Sequence, residues 1–513
     1  MTTEDGSYLV GHGVQVVTPN SEHGFVLDEK LLQGILLRDD IKDLPVVVVS
    51  VAGPYRKGKS FLLNFFLRYL HKTCHENISD LDEWLGAPDN PLKGFSWRGG
   101  SDRHTTGIHL WSEPFKASLP SGQKVAVLLM DTQGTFDSTS TVKDNATVFA
   151  LSTMLSSVLI YNISQNIEED DLQHLQLFIE YGRVAKDKMD GKPFQRLQFL
   201  VRDWAVAYEY AYGAVGGQQL LNKLLQVREG QHEELKRVRQ DIDRCFEEVT
   251  CFLMPHPGLK VSTNEHFNGK LSDVDPEFQK CLNQLVPMLL ASENLVQKKI
   301  GGHTVKAKDL LSYFKSYVKV FNGDALPTPT TILQATAEAN NKSALYEAID
   351  LYENLMMEAA GASAPYMHRD RLYQEHKKAR DKAVHQFYSK KKMGGEELAT
   401  KFENRLGEIV EEKYVLIVEQ NNAKSMYNIL TTPAVFLLVL VLGYLLSVLG
   451  DLLGVRLLAL LGMSIVVGVV GLLSVWGYSR WTGEMREVGM QLDHVARIIH
   501  DAFAKGTQHL KQA

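Results

Sequence analysis

Between the apolar runs "LPVVVVSVA" and "FLLNFFLRYL" lies "GPYRKGKS", residues 53–60, and this arrangement restricts the fold more than any other feature of the chain. A strand-like run that enters a Gly-x-x-x-x-Gly-Lys-Ser turn and leaves as a helix-like run is the context in which a phosphate cradle works. Gly53 and Gly58 permit backbone conformations closed to other residues, so that successive N–H groups can turn inward around phosphate oxygens. Lys59 would reach the β- and γ-phosphates and the Ser60 hydroxyl a magnesium ion, at the N-terminus of the following helix.

A second motif supports the first. "VAVLLMDTQG" reads as a buried strand ending in Asp131, with Gly134 three residues on. A carboxylate there can hold the metal through water, and the Gly134 amide can sense a γ-phosphate. Between the two motifs, "RGGSDRHTTGIHLW" offers Thr105 or Thr106 to complete the octahedral shell of a small, hard cation, and spacing does not choose between them. The strand-like "LQFLV" runs into Arg202-Asp203. An aspartate in that place accepts hydrogen bonds from the N1 and N2 donors of guanine, a pair that adenine does not supply. By itself an Arg-Asp pair is a weak signal whose default reading is a surface salt-bridge participant.

From about residue 25 to 300, β-rich apolar runs ("VVVVSVA", "VAVLLMD", "SVLIYNIS", "LQFLVRD") alternate with helical ones. This pattern predicts an α/β domain with a mostly parallel sheet and phosphate ligands at the carboxyl ends of its strands. After "GDALPTPTT" the pattern turns wholly helical. Leu345, Ile349, Tyr352 and Met356 form one stripe, and Gly394-Gly395 separates two later helices, so a helical bundle follows. The Lys390–Lys392 run reads as a solvated helix end.

"AVFLLVLVLGYLLSVLG" (434–450) and "LLALLGMSIVVGVVGLLSVWGY" (457–478) carry no charge and flank a short polar break. Two such segments return the chain to the side it left, as a transmembrane helical hairpin. The first, at ~1.5 Å per residue, covers only about 25 Å, short of a ~30 Å hydrocarbon core, which suits a tight or partly re-entrant hairpin. Tyr478, Arg480 and Trp481 suit an interfacial anchor at its exit. Beyond them Met485, Val488, Leu492, Val495, Ile499 and Phe503 follow a helical stripe interleaved with Arg486, Asp493, Arg497, His500 and Lys505, which predicts an amphipathic C-terminal helix in the headgroup plane, the alternative being a helix that packs on the bundle.

The expected segmentation is an N-terminal segment 1–24, an α/β nucleotide domain 25–305, a linker region 306–330, a helical-bundle middle domain 331–425, membrane segments 434–450 and 457–478, and a cytosolic tail 479–513. The chain has 513 residues and a net charge of −6, modest for its size, and nothing in that total points to nucleic acid. Its four cysteines lack paired spacing, which indicates neither a zinc site nor a disulfide framework and fits a reducing compartment. "MTTEDGSYLVGHG" shows no cleavable secretory signal.

GPYRKGKS, the TTGI switch, DTQG and an Arg-Asp pair in place of Asn/Thr-Lys-x-Asp together resemble the dynamin superfamily, in its atlastin and guanylate-binding-protein branch. "FSWRGGSD", "PHPGLKV", "LQATAEAN", "KKMGGEE", the apolar hairpin and the tail resemble atlastins in particular, over nearly the whole chain. That resemblance implies a magnesium-dependent GTPase whose catalytic residues are Arg56, Lys59 and Thr105, with Arg56 acting as an arginine finger supplied by the same chain. It implies phosphate contacts from Arg56, Lys57, Gly58, Lys59, Ser60 and Phe61, with Asp131 and Gly134 alongside. Guanine contacts would come from Arg202 and Asp203 and a cap from Val261 and Asn264, while Ser60 and Thr105 take magnesium with Asp131 behind them. Thr135 stands where many small GTPases carry a water-orienting glutamine, and Pro54-Tyr55 replaces the family's Ala-Phe, which would stiffen the loop bearing Arg56.

The same resemblance implies GTP-dependent homodimers that tether and fuse endoplasmic reticulum membranes, with the lipid bilayer and other hairpin proteins as partners and both termini cytosolic. A tethering or membrane-shaping scaffold without efficient fusion is the alternative. A soluble effector of the guanylate-binding type is a third class, and the hairpin speaks against it.

Overall fold

The structure is a computed structural model that describes all residues except 1–10, 21–23, 75–83, 98–104, 135–140, 177–179, 182–183, 185–190, 228–231, 324–325, 363, 365, 483–484, 486–487, 490, 497 and 501–513. Its chain divides into two compact units, residues 1–347 with 387–404, and residues 348–386 with 405–513.

The first unit is built on a nine-stranded sheet. Its strands are β1 (Gly13–Pro19), β2 (Phe25–Leu27), β3 (Val46–Ala52), β4 (Ile108–Trp111), β5 (Phe115–Ser118), β6 (Lys124–Thr132), β7 (Val158–Ser164), β8 (Phe194–Arg202) and β9 (Phe246–Leu253). They lie in the order β2-β1-β4-β6-β3-β7-β8-β9, with β5 beside β6. Strands β6, β3, β7, β8 and β9 run parallel. The pairings β1–β2, β1–β4, β4–β6 and β5–β6 are antiparallel.

"VVVVSVA" is buried at every position, as a central parallel strand covered on both faces must be. One hydrophobic core joins Val46, Val48, Leu128 and Phe199 to helix Ala307–Phe321, and another joins Val47, Val49, Leu129 and Ile160 to helices Lys59–Cys74 and Pro276–Leu290. Stretches expected outside the α/β domain thus carry parts of this unit, among them residues 331–347 and 387–404 of the expected middle domain, which add Ile332, Leu333, Ala337 and Met393 to the first core. Residues 13–19 are β1 of the sheet, and residues 307–321 form a helix that buries Tyr313, Phe314, Tyr317 and Phe321 in the first core.

The Lys390–Lys392 run, read as a solvated helix end, is solvated only in part: Lys391 is exposed, and Lys390 and Lys392 are half-buried. Lys390 Nζ donates to Ser343 Oγ at 2.7 Å and lies 3.5 Å from Asp309 and 3.8 Å from Glu347. The Lys392 ammonium sits 3.9 Å from the centre of the Phe387 ring, and burial lowers its pKa to about 8. Partners on helices Ala307–Phe321 and Pro329–Ala360 draw Lys390 inward, and a run of three like charges does not reveal them.

In the second unit the predicted stripe closes the core of a helical bundle. Ile349, Tyr352 and Met356 are buried, as are Leu372, Ala379, Ala383, Leu406 and Val410. Asn421 fixes one end of the bundle, accepting from the Met367 N–H at 2.9 Å and donating to its carbonyl at 2.7 Å.

Helices Glu396–Leu452 and Arg456–Thr482 contain two stretches long and apolar enough to cross a membrane, Thr432–Leu452 and Arg456–Ser479. The first has 21 residues, so it spans about 31 Å and matches the hydrocarbon core, because Thr432, Pro433, Asp451 and Leu452 extend the helix beyond its uncharged run. Leu437, Leu445, Leu452, Leu457 and Leu460 are exposed along the pair, an apolar surface of the kind lipid covers. Close approach at Gly443, Gly450 and Gly462, where a Cβ would meet the facing helix, packs the two together.

The tail departs from expectation. Leu492 and Ala496 pack with Val435, Phe436 and Val469, with Val488 and Ile499 partly buried against them. Asp493 accepts hydrogen bonds from Thr432 Oγ1 at 2.6 Å and Trp476 Nε1 at 2.8 Å. Val488, Leu492 and Ile499 of the apolar stripe therefore pack on Val435 and Phe436, while Met485 and Val495 of the same stripe stay exposed. Arg486, Arg497, Phe503 and Lys505 lie outside the described residues, and no continuous amphipathic helix is established there.

Candidate functional site

Three parallel strands end where the sequence places its motifs. β3 leads into Gly53, β6 ends at Thr132 next to Asp131, and β8 ends at Arg202. The helix that starts at Lys59 follows the loop directly.

Lys59 is buried, and its Nζ donates to the Pro54 carbonyl at 3.0 Å. Burial lowers its pKa to about 8, with the Asp131 charge opposing that shift. Ser60 Oγ donates to Asp131 Oδ2 at 2.6 Å, and Thr105 Oγ1 lies 3.4 Å from both Ser60 Oγ and Asp131 Oδ2. Asp131 is buried, which raises its pKa, while Ser60 and Lys59 oppose the rise. Its Oδ1 is buried and has no hydrogen-bond partner among the described residues.

The adjacent threonines touch different groups. Thr106 Oγ1 and its carbonyl both accept from Gln15 Nε2, at 2.9 Å and 2.8 Å, and Thr105 is the hydroxyl that faces Ser60 and Asp131. The DTQG segment is tied to the same switch. The Gly107 N–H donates to Gln133 Oε1 at 2.9 Å, and the Gln133 N–H returns a bond to the Gly107 carbonyl at 2.8 Å. Gly134 lies against the P-loop so closely that a Cβ would stand 2.2 Å from Tyr55 Cα.

Arg56 and Lys57 are exposed, and Arg56 has φ +61. Phe61 is different: its ring is buried against Phe65, Trp97 and Phe267, so only its backbone is available to a phosphate. Gly58 is close to the Arg202 guanidinium, at 3.5 Å from a built Cβ.

Arg202 is buried beside the loop, with Nη1 3.5 Å from the Lys57 carbonyl and from Asn162 Oδ1, and its guanidinium 5.2 Å from the centre of the Phe278 ring. Burial lowers its pKa, opposed by Asp203. Asn162 in turn donates to the Lys57 carbonyl at 3.0 Å. Asp203 sits at φ +58, and its carboxylate accepts from Ser164 Oγ at 3.2 Å. Val261 is half-buried on the short helix Leu259–Thr263, and Asn264 is exposed at its end, where its Oδ1 accepts from the His266 N–H.

The structure thus brings Lys59, Ser60, Thr105 and Asp131 together and sets Arg202 against the P-loop backbone. It adds Gln15, Asn162 and Gln133, which sequence reading missed. Each is a neutral amide in or next to an apolar strand, and only their three-dimensional partners distinguish them. Thr135 lies outside the described residues.

Residues 22–299 match the family model described as guanylate-binding protein, N-terminal domain, and residues 301–428 match the guanylate-binding protein C-terminal domain. The chain is similar to Atlastin of Drosophila melanogaster, 51% identical over 501 residues that cover 97% of this chain and 92% of the relative. It is also similar to Atlastin-3 of Homo sapiens, 50% identical over 487 residues (95% and 90%), and to Atlastin-2 of Homo sapiens, 49% identical over 494 residues (96% and 84%).

Proposed function

The chain belongs to the atlastin family, and on that premise we propose that it hydrolyses GTP at the P-loop and couples hydrolysis to shaping and homotypic fusion of endoplasmic reticulum membranes. The observation that carries the reading is the cluster of Ser60, Thr105 and Asp131 oxygens beside buried Lys59, at the ends of β3 and β6.

Two hydroxyls and a carboxylate with one oxygen unpartnered among the described residues form a hard, all-oxygen donor set, which fits magnesium. Ser60 and Thr105 would hold the ion with Asp131 behind them, and when bound it would offset charge on the β- and γ-phosphates. Lys59 and the backbone of Lys57, Gly58, Ser60 and Phe61 bind the phosphates, and Gly134 offers its amide to the γ-phosphate. Arg202 braces the loop while Asp203 accepts from the guanine N1 and N2 donors, with Val261 and Asn264 capping the base. Arg56, exposed at the loop tip, swings onto the transferring phosphoryl group and supplies positive charge to the transition state, a contribution of about 10³ to 10⁵ in rate among GTPases.

Self-association follows from the family, and the form we propose is a GTP-dependent homodimer between facing membranes, with other hairpin proteins as further partners. The two apolar helices are consistent with an endoplasmic reticulum membrane hairpin protein, and we place both termini in the cytosol. Nucleotide drives this cycle only through contacts that differ between GTP and GDP, and the γ-phosphate contacts of Gly134 and Thr105 are such contacts.

The test reconstitutes the full chain into donor and acceptor liposomes and follows lipid mixing with GTP and magnesium. Mixing that is lost in Arg56→Ala together with hydrolysis supports the reading. Tethering without mixing at normal hydrolysis would replace fusion with a scaffold role.

A further inference from the structure

We propose that Gln15 is a positioning residue that holds the switch so that Thr105 meets Ser60 and Asp131, an inference that rests on reading this cluster as a GTPase site. Gln15 belongs to β1, which precedes the stretch matched by the family model at residues 22–299. Its single amide nitrogen donates to both acceptors of Thr106, the carbonyl at 2.8 Å and Oγ1 at 2.9 Å. That engagement takes Thr106 out of competition and leaves Thr105 as the hydroxyl 3.4 Å from Asp131.

The strand is shaped for this. The β1–β4 register shifts between Gln15 and Val17, where β1 turns from pairing with His109 to pairing with Ile108. One residue beyond Thr106, Gly107 has φ +65, and a Cβ there would stand 1.9 Å from the Val17 carbonyl oxygen. The same residue exchanges two hydrogen bonds with Gln133. The switch is therefore gripped at consecutive residues, by a β1 side chain at Thr106, and by the β1 backbone and the end of β6 at Gly107. Among the described residues the Gln15 grip is the one on the Thr106 side chain, and the contacts at Gly107 fix the path of the chain.

Backbone contacts survive a side-chain substitution, so Gln15→Leu in the full chain removes the orienting bonds and keeps the strand. Turnover is expected to fall about tenfold, as misplacement of a positioned group does, with KM for GTP within about twofold and the magnesium midpoint raised severalfold. Amide hydrogen exchange over residues 105–111, read without nucleotide, is expected to quicken about tenfold while the melting midpoint holds. If Gln15→Leu does not fold, Thr106→Val, which removes one of the two acceptors, is expected to show the same changes at smaller size. A folded variant with wild-type turnover, magnesium midpoint and exchange over 105–111 overturns the proposal. Wild-type protein that fails to hydrolyse GTP would instead overturn the functional reading, and the exchange measurement would still report whether Gln15 holds the switch.

Discussion

Gly134→Ala tests whether the DTQG segment and the P-loop form one tightly fitted unit. A Cβ at residue 134 would lie 2.2 Å from Tyr55 Cα, 2.3 Å from Tyr55 Cβ and 2.7 Å from Tyr55 N. Ordinary contact begins near 3.4 Å, so one of the two backbones must retreat by about 1.2 Å, the difference between those distances. The φ of Gly134 is outside the left-handed range, which leaves the contact, not backbone strain, as the cost. Tyr55 precedes Arg56, and a displacement of about 1 Å at a catalytic group costs about 10² in rate.

The expected result is turnover reduced about a hundredfold with the melting midpoint lowered by only a few degrees, measured by phosphate release and by thermal unfolding. Trimming the tyrosine does not help: Gly134→Ala/Tyr55→Ala still meets Cα and N, so the double variant stays as slow as the single. Turnover of Gly134→Ala within twofold of wild type, or recovery in the double variant, would refute the reasoning.

Asp203→Asn replaces an acceptor-only carboxylate with an amide that cannot accept from both guanine donors, so preference for GTP over xanthosine triphosphate is expected to fall by about 10³ or more in competitive binding. His376 is buried between Tyr352, Tyr373, Tyr414 and Glu411, with Arg380 also paired to Glu411. Burial lowers its pKa, opposed by Glu411. The folded state then binds fewer protons than the unfolded, so this contribution is present above pH 6.5 and lost below it, at up to about 1.4 kcal/mol per pH unit. Melting of the detergent-solubilised chain from pH 7.5 to 5.5 is expected to show that loss, and His376→Gln to flatten it. Asp493→Ala removes the acceptor shared by the Thr432 hydroxyl and the Trp476 indole N–H, at about 1 kcal/mol for each hydrogen bond lost. A cysteine pair introduced at Phe436 and Leu492 is expected to crosslink in the parent and to lose most of that crosslink with Asp493→Ala.

Legibility in the sequence followed the range of the interaction. The P-loop could be read because strand, glycine turn and helix are contiguous, and the parallel sheet because central strands buried on both faces become continuous valine runs, as in Val46–Val49. The two long apolar helices could be read because an uncharged run of that length is visible in the sequence itself. β1 could not, since "GVQVVTP" is short, belongs to the antiparallel edge and is anchored by β4, about ninety residues away. Lys390 looked solvated because Ser343, Asp309 and Glu347 reach it from distant helices. The tail stripe was legible as an apolar face, but its partner was not: periodicity tells which side is apolar and is silent on whether lipid or protein covers it.

Those long-range contacts also explain how nucleotide could be felt as a whole. The Lys57 carbonyl accepts from Asn162 on β7, which is also near Arg202 of the proposed base-reading pair. Tyr55 abuts Gly134 at the end of β6, and Gln133 beside it is bonded to Gly107 of the switch. On the proposed reading, base, phosphate and switch residues are thus linked, among the described residues, by direct contacts at strand ends. A change of about 1 Å at the γ-phosphate has little slack to dissipate in and must pass to Gly107 and β1, because packed interiors shift between discrete arrangements rather than deform smoothly. Replacing Asn162 with leucine cuts the base-to-phosphate link without touching the Ser60–Thr105–Asp131 cluster. On this argument it should weaken the discrimination between GTP and GDP more than it weakens GDP binding itself.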